Sequence, residues 1–222
     1  MLSTRACRVV QSLLITLTFV LGSESIVGIG QDELGPVEGA AIAYSPDGEE
    51  IAYATGPSSC SEDDLGQFAI HIIDAITWAP IRTLTRHQCI VNTLSWSSDS
   101  TKLLSNGEDS RSFIWNVETG EVITTYQGNP RHFPPVSGSW RADGQLVADF
   151  SKSSSALSIW SPSTGLPAEF LTQPNDAQLA SFSWSTSSNL LAVNNSSGLL
   201  QIWDTSAATQ TGISELQDSY VN

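Results

Sequence analysis

The stretch from His87 to Asn116, HQCIVNTLSWSSDSTKLLSNGEDSRSFIWN, decides the fold of this chain. It contains three short runs in which apolar and polar residues alternate, and polar turns separate the runs. Alternation with a period of two, interrupted by turn residues, is typical of antiparallel β-strands. A fourth run, Glu121 to Tyr126, follows the turn at residues 118–120. The stretch therefore predicts one sheet of four short antiparallel strands.

The same pattern recurs along the chain at a nearly constant spacing. The aromatic residues that end the first strand of each unit lie 52, 44 and 44 residues apart, and the residue pairs that end the third strand recur in the same phase. These landmarks are Tyr44, Trp96, Trp140 and Trp184 for the first strand, and Ile73-Asp74, Trp115-Asn116, Trp160-Ser161 and Trp203-Asp204 for the third. Four units in phase indicate internal repeats.

A period near 44 residues with a Trp-Asp-like ending resembles the WD-repeat family, whose repeats of ~40–45 residues each form one blade of a β-propeller. The resemblance covers about Pro36 to Leu216. It implies an all-β fold of four four-stranded antiparallel blades, at about residues 37–87, 88–130, 131–174 and 175–216. A lead-in at residues 24–36 precedes the blades, and a tail at residues 217–222 follows them.

Four blades are few for a WD-repeat ring, so the resemblance leaves three arrangements open. The chain is half of an eight-blade ring closed by a homodimer, a fragment of a longer propeller, or a compact four-blade ring. An open arc of blades exposes two apolar faces, which repeat proteins must cap or cover.

The first 23 residues have the pattern of a secretory signal peptide. Arg5 and Arg8 precede the apolar run Val9 to Leu21, and the small residues Gly22 and Ser23 follow it. We expect removal of residues 1–23 and export of the protein, because the apolar run is short for a membrane span. The alternative is an N-terminal membrane anchor that is never cut.

The charge of the chain excludes one class of partner. The formal net charge is −14 at pH 7, and loss of the signal would remove two arginines and no acidic residue. Such a surface repels phosphate backbones and anionic lipid headgroups. We therefore expect no nucleic-acid partner, and no internal segment is apolar over enough residues to span a membrane.

A serine, a histidine and an aspartate in the second repeat invite comparison with a catalytic triad. The family resemblance implies a different role, in which these residues and the tryptophan of the third strand form a buried hydrogen-bond network. The network residues are His87, Ser105, Asp109 and Trp115. The resemblance therefore implies that they hold the blade together and that the protein is not an enzyme.

Only the second repeat has the full set of network residues. The third repeat has Phe150 near the serine position and Ser154 at the aspartate position, whereas the fourth has Val193 and Ser197. The first repeat has Ile73 in place of the tryptophan. We expect six of the seven tryptophans to lie in the core, with Trp78 as the exception.

The cysteines predict a disulfide. Cys7 belongs to the presumed signal, which leaves Cys60 and Cys89 as an even pair in an oxidising compartment. In a propeller the hairpin that carries Cys60 and the connection that carries Cys89 emerge on the same face. The alternative is two free or buried thiols. The histidines have no metal-ligand spacing, and the acidic loop lacks the spacing of a calcium loop, so we expect neither a metal nor a cofactor.

These observations predict a non-catalytic, exported binding module that presents a propeller surface to a protein or peptide. The rival interpretations are an extracytoplasmic enzyme with a hydrolase-like site in a propeller cavity, and a truncated propeller without its own function. An enzyme would need convergent titratable groups or a metal. The candidate binding surface comprises Glu62, Asp63, Asp64, Trp78, Arg86 and Gln88.

Overall fold

The computed structural model describes residues 41–61, 66–127, 135, 137–150, 156–172, 178–206 and 209–215. The chain divides into two units, Met1–Glu33 and Leu34–Asn222, and every described residue belongs to the second. The described residues form sixteen strands in four separate antiparallel sheets, and they include no helix long and apolar enough to cross a bilayer. The all-β prediction of four four-stranded blades is confirmed. The predicted signal lies outside the described residues.

Each blade is a simple meander in which consecutive strands are neighbours. Blade one contains β1 (Ile42–Tyr44), β2 (Glu50–Thr55), β3 (Ala69–Asp74) and β4 (Pro80–Leu84). Blade two contains β5 (Val91–Trp96), β6 (Lys102–Gly107), β7 (Ser112–Asn116) and β8 (Val122–Tyr126). Blade three contains β9 (Ser137–Trp140), β10 (Val147–Phe150), β11 (Ala156–Trp160) and β12 (Pro167–Thr172). Blade four contains β13 (Leu179–Trp184), β14 (Leu190–Asn195), β15 (Leu199–Asp204) and β16 (Thr209–Glu215).

A carboxylate fixes the turn between the first two strands of blades one to three. In blade two the Ser97 hydroxyl donates to Asp99 Oδ1 at 2.6 Å, and the Thr101 backbone N–H donates to the same oxygen at 3.1 Å. The Ser97 hydrogen bond is the main reason that the pKa of Asp99 is lowered from its ordinary value. Asp47 and Asp143 occupy the same place in blades one and three. These turns set the register of each hairpin, because side-chain acceptors replace the missing ladder bonds.

Successive blades pack face to face, and each interface has its own apolar core. We call the face of a blade that is turned toward the preceding blade its leading face, and the opposite face its trailing face. Ala52, Ile70 and Ile72 on the trailing face of blade one pack against Leu103 and Trp115 of blade two. Two further cores join blade two to blade three and blade three to blade four.

A single hydrogen bond recurs at all three interfaces. The tryptophan that ends the first strand of a blade donates its indole N–H to a backbone carbonyl in the first strand of the preceding blade. The bonds are Trp96 to Ala43 at 3.1 Å, Trp140 to Ser95 at 2.9 Å and Trp184 to Ser139 at 3.2 Å. Because the acceptors are also one repeat apart, this bond fixes how each blade is stacked on the one before it.

The described blades form an open arc, in which packing joins only blades that are consecutive in the chain. Five of the six tryptophans that we expected in the core are buried. Trp203 differs, because it is only half-buried at the last described interface. Trp78 is exposed, as the sequence predicts.

Candidate functional site

His87, Ser105, Asp109 and Trp115 form one continuous chain of hydrogen bonds in blade two. His87 Nδ1 lies 3.0 Å from Asp109 Oδ2, and His87 Nε2 lies 2.8 Å from the Ser105 hydroxyl oxygen. The Trp115 indole N–H donates to that same hydroxyl oxygen at 2.8 Å. Strands β6 and β7 carry Ser105 and Trp115, whereas the segment before β5 and the β6–β7 hairpin carry His87 and Asp109. The structure thus brings all four network residues together.

The direction of the hydrogen bonds follows from the donors available. Since Trp115 can only donate, the Ser105 hydroxyl accepts from it and donates to His87 Nε2, and His87 Nδ1–H then donates to Asp109. This order matches a catalytic triad. However, Ser105 is 0% exposed, and the Phe113 ring packs edge-on against His87 at 4.7 Å. A substrate carbonyl therefore has no path to the hydroxyl, and the network satisfies buried polar groups instead.

Asp109 is the negative end of this network. Burial alone would raise the pKa of its carboxyl, but the hydrogen bond from His87 and two backbone N–H donors lower the pKa below its ordinary value. The backbone donors are Gln88 at 2.9 Å and Arg111 at 3.2 Å. Asp109 is therefore ionised at neutral pH, and it ties the segment before β5 to the β6–β7 hairpin.

Blade three contains a second buried acceptor that sequence reasoning missed. The strand register places Asp149, the residue before Phe150, at the position of Ser105. Asp149 Oδ2 accepts from the Trp160 indole N–H at 2.8 Å and from the Ser112 hydroxyl at 3.3 Å. Burial raises the pKa of Asp149 to about 7. The signal was available, because Asp149 lies two residues after Val147 and so faces the same side of the strand.

One of the two partners of Asp149, Ser112, comes from the trailing face of blade two. Asn106 and Ser112 lie where blade one has Ala54 and Ile70, and both polar side chains are fully buried. Within the described part of the chain, neither polar atom of the Asn106 side chain has a hydrogen-bond partner. Gly138 leaves room for this side chain, because a Cβ there would lie 2.3 Å from Asn106 Nδ2. The interface of blades two and three is therefore polar where the interface of blades one and two is apolar.

Blades one and four lack such an acceptor. In blade four the register places Val193 at the Ser105 position, as the sequence predicted, and the buried Trp203 indole N–H has no partner among the described residues. In blade one Tyr53 takes that position, and its ring stacks on His71 with centroids 5.0 Å apart. Ser197 lies in the β14–β15 hairpin, whereas Ser154 lies outside the described residues.

Cys60 and Cys89 form a disulfide with a Cα–Cα distance of 5.1 Å. It joins the segment after β2 in blade one to the segment before β5, across 29 residues of sequence. The Glu108 carboxylate lies 3.8 Å from the Cys89 sulfur and 3.9 Å from the Cys60 sulfur. This is a cluster of metal-ligand types. The two sulfurs are bonded to each other, so they are not available as metal ligands while the disulfide is intact.

A groove of about 440 Å³ runs between the outer strands of blades one and two. Leu84 and Trp115 form an apolar floor but are each only 2% exposed, whereas Arg86 and Glu121 contribute opposite charges. Both charged residues are exposed, and the lining residue Val122 is half-buried. Thr83, Thr85 and Gly120 complete the lining. The groove therefore offers a partly exposed apolar side chain, Val122, next to a cation and an anion that face solvent.

Arg82 fixes one wall of the groove to the other. Its guanidinium donates from Nε to the Val117 carbonyl at 3.0 Å and from Nη1 to the Thr119 carbonyl at 3.2 Å, and Nη2 donates to the Glu118 carbonyl. Arg82 belongs to β4 of blade one, whereas the carbonyls belong to the β7–β8 turn of blade two. Gly120 permits this approach, because a Cβ there would lie 2.7 Å from Arg82 Cδ.

The residues of the predicted binding surface do not lie together in the structure. Arg86 lines the groove, and Gln88 lies two residues further along, where its backbone N–H donates to Asp109. Trp78 is 63% exposed but precedes β4, so the whole length of that strand separates it from Arg86. Glu62, Asp63 and Asp64 lie outside the described residues. The groove itself was not predicted, because it depends on how two blades stack.

Sequence comparisons match one repeat to a family model and align other parts of the chain with short stretches of several relatives. The family model of the WD domain, G-beta repeat, matches residues 78–116, from the turn before β4 through β7. Protein transport protein sec31 of Schizosaccharomyces pombe is 40% identical over 72 residues, which is 29% of this chain and 5% of that protein. The WD repeat-containing protein WDS homolog of Arabidopsis thaliana is 35% identical over 79 residues, covering 35% of this chain and 15% of the relative. The chain therefore spans a small part of these relatives.

Two solved structures share the fold. A chain of the Mitotic Checkpoint Complex superposes with a TM-score of 0.64 at 21% identity, over 78% of this chain and 52% of that one. The β-propeller domain of Cps50 (Swd1) from Myceliophteria thermophila superposes with a TM-score of 0.63 at 15% identity, over 79% of this chain and 55% of that one. The family model thus shows a WD repeat at residues 78–116, and these similarities show that the four sheets have the fold of a WD-repeat β-propeller.

Proposed function

We propose that this chain is a non-catalytic, exported scaffold whose groove between blades one and two binds a protein or peptide partner. The observation that carries the proposal is the combination of a partly exposed apolar side chain, Val122, with exposed Arg86 and Glu121 in one groove. Interfaces commonly use a buried aromatic or aliphatic contact beside an arginine. The relatives include transport proteins, which accords with a scaffold role.

The chemistry of the groove suggests the form of the ligand. Strands β4 and β8 are the outermost strands of their sheets, so each has one edge without a strand neighbour among the described residues. An extended segment with an apolar side chain can lie between them, and a carboxylate on it can pair with Arg86 in a bidentate manner. The net charge of −14 disfavours a nucleic acid at this or any other surface.

Two features support the other parts of the proposal. The pattern of residues 1–23 and the disulfide between Cys60 and Cys89 both accord with export to an oxidising compartment. The burial of Ser105 argues against the hydrolase alternative, because the only Ser-His-Asp arrangement among the described residues has no access for a substrate.

A peptide selection tests the groove. The chain without residues 1–23 would be used to select binders from a random peptide library, and their affinity for variants would be measured by fluorescence polarisation. We expect Arg86→Glu to weaken binding at least tenfold, since it replaces an attraction by a repulsion. Trp78→Ala is the matched control at the other end of β4 and should leave the affinity unchanged.

The outcomes separate the two halves of the predicted surface. Peptides that lose affinity with Trp78→Ala but not with Arg86→Glu would move the binding surface to the β3–β4 turn and overturn the groove. Glu121→Lys gives a second reading, because a carboxylate ligand that pairs with Arg86 should bind this variant more tightly.

A further inference from the structure

Trp78 has a backbone conformation that blades two and three give to glycine. In all three blades the same backbone hydrogen bond closes the turn between the third and fourth strands. The bonds run from the N–H of Trp78 to the carbonyl of Asp74 at 3.0 Å, from Gly120 to Asn116 at 2.8 Å and from Gly165 to Ser161 at 2.8 Å. The φ angles of the three donors are 63°, 76° and 69°. In this left-handed region a side chain is strained and glycine is not, so a tryptophan here makes the turn less stable than a glycine would.

The β3–β4 turn of blade one also presents a second large apolar side chain. Ile76 is 83% exposed and Trp78 is 63% exposed. The matching hydrogen bonds make Ile76 equivalent to Glu118 of blade two and to Ser163 of blade three, which are both polar. The turn therefore needs neither apolar side chain in order to form, since two corresponding turns close without them. Strain at an exposed residue that the fold does not require points to a function.

Asp74 fixes the backbone that carries these two side chains. Its Oδ1 accepts from the Ile76 N–H at 2.9 Å, from the Thr77 N–H at 2.6 Å and from the Thr77 hydroxyl at 2.8 Å. The bonds from Thr77, and after them the bond from Ile76, lower the pKa of Asp74 below its ordinary value. The carboxylate is therefore ionised at neutral pH, and it holds the turn in one conformation before any partner arrives.

Other carboxylates of blade one lie beside this turn. The Ala75 N–H donates to the Glu49 carbonyl at 2.8 Å, which joins the turn to the β1–β2 hairpin. Glu50 pairs with Asp74 across the sheet. Burial, followed by the charges of Asp47, Glu49 and Asp74, raises the pKa of Glu50, so these four carboxyl groups act on one another.

The nearby cation does not cancel this charge. Arg82 lowers the pKa of Glu50, but its guanidinium is already bonded to three carbonyls of blade two. Asp47 and Glu49 are exposed. Within the part of the chain that the structure describes, the exposed apolar pair Ile76 and Trp78 therefore has an acidic neighbourhood.

We propose that Ile76 and Trp78 form a second docking surface, for a segment of a protein partner that carries arginine or lysine beside an apolar side chain. The argument is charge complementarity. An indole ring attracts a cation over its face, and neighbouring carboxylates attract the same cation. The aliphatic stem of an arginine or a lysine can cover Ile76 while its charged end faces the carboxylates. The groove between blades one and two differs, since its ligand presents a carboxylate to Arg86.

A peptide selection with fixed charges tests the proposal. The protein used for the groove would be screened against two libraries, one with arginine or lysine fixed next to leucine and one with aspartate fixed next to leucine. Affinities would be measured by fluorescence polarisation. We expect the first library to give cationic binders whose affinity depends on Trp78. Added salt should weaken these binders, because it screens the carboxylates.

Trp78→Gly gives blade one the residue that blades two and three have at this position. We expect this variant to weaken the cationic binders at least about tenfold, because the ring is lost. It should not lower the urea concentration at the midpoint of unfolding, because glycine relieves the strained φ. Trp78→Phe keeps an aromatic face and should weaken the binders less. Leu166→Ala, at a side chain that is 65% exposed in the corresponding turn of blade three, is the matched control and should change neither quantity.

Glu49→Lys tests the charge and leaves the ring in place. We expect it to weaken the cationic binders about tenfold, since it replaces an attraction by a repulsion. Arg86→Glu should not weaken them, because Arg86 lies beyond the far end of β4. Binders that carry a carboxylate report on the groove and cationic binders report on the β3–β4 turn, so either surface can fail without the other.

Several results would overturn the proposal. A cationic library that yields no binder dependent on Trp78 would exclude the stated partner. Equal dependence on Trp78 in binders from both libraries would show that the surface does not select charge. A urea midpoint that falls with Trp78→Gly would show that the ring stabilises the fold instead. Sedimentation with vesicles of phosphatidylserine and phosphatidylcholine that depends on Trp78 would assign the surface to a lipid membrane.

Discussion

Blades two and three bury the same indole N–H against different acceptors. In blade two Trp115 donates to Ser105, a neutral hydroxyl. The negative charge of this network lies on Asp109, beyond Ser105 and His87. In blade three Trp160 donates directly to Asp149, a carboxyl with no cationic partner among the described residues. The comparison shows that the repeat fixes the donor and leaves the acceptor to vary. What varies with it is the response of the blade to pH.

The largest expected effect comes from breaking the network of blade two. Asp109→Ala removes the acceptor of the buried His87 Nδ1 and of two backbone N–H groups, so three donors lose their partner. We expect the free energy of unfolding to fall by about 3–5 kcal/mol, measured by urea denaturation at pH 7. Glu49→Ala, an exposed carboxylate of blade one, is the control. A loss below about 1 kcal/mol would mean that the network is not what holds blade two.

An intermediate effect is expected from the carboxyl of blade three. The pKa of Asp149 in the folded chain, about 7, lies above the ~4 of an unfolded aspartate. Between these pH values the folded chain holds a proton that the unfolded chain has lost. The contribution of this group to stability is therefore complete below about pH 4 and is lost as the pH rises through about 7.

Asp149→Asn isolates that contribution, because an amide imitates the protonated carboxyl. At pH 8 the variant should be more stable than the unmodified chain by about 4 kcal/mol, and the two should agree near pH 4. Subtracting the two unfolding free energies at each pH removes the effect of every other titrating group. A difference that stays constant between pH 4 and pH 8 would contradict the assignment.

The smallest expected change in stability is in blade four, where the indole N–H of Trp203 has no acceptor among the described residues. Val193→Thr places a hydroxyl where blade two has Ser105, close to the unpartnered Trp203 Nε1. The new hydrogen bond should offset the cost of burying the hydroxyl, so stability should change by less than about 0.5 kcal/mol. Val147→Thr, at a fully buried valine paired with Trp160 in blade three, is the control, and it should cost about 2 kcal/mol because the indole of Trp160 already has a partner. Equal losses of stability in both variants would contradict the assignment of Trp203 Nε1 as a donor without an acceptor.

The sequence predicted the blades because repeats two and three each contain two aromatic landmarks and a carboxylate turn, and repeats one and four each lack only one of these features. Those features act within one sheet, so their spacing alone sets strand order and approximate register. Asp149 was missed for a related reason. Its role depends on the face of β10 to which it points, and that face follows from the pairing of β10 with β11.

The groove and the division of the predicted surface needed the structure itself. Nothing in the local sequence of Arg86 or Glu121 indicates that these residues line one groove, because they belong to different blades. Trp78 and Arg86 are close in sequence, yet an extended strand of five residues between them spans about 17 Å. Residues that are close in sequence can therefore lie far apart when an extended strand separates them.

Arg82 has a consequence for how the groove selects its ligand. The guanidinium is bonded to three successive carbonyls of the neighbouring blade, so the two walls of the groove are held at one separation before any ligand arrives. A gap of fixed width discriminates by size, and a ligand gains little by forcing it wider. The groove is therefore preorganised and does not close around its ligand, and little of the binding free energy is lost in ordering the protein.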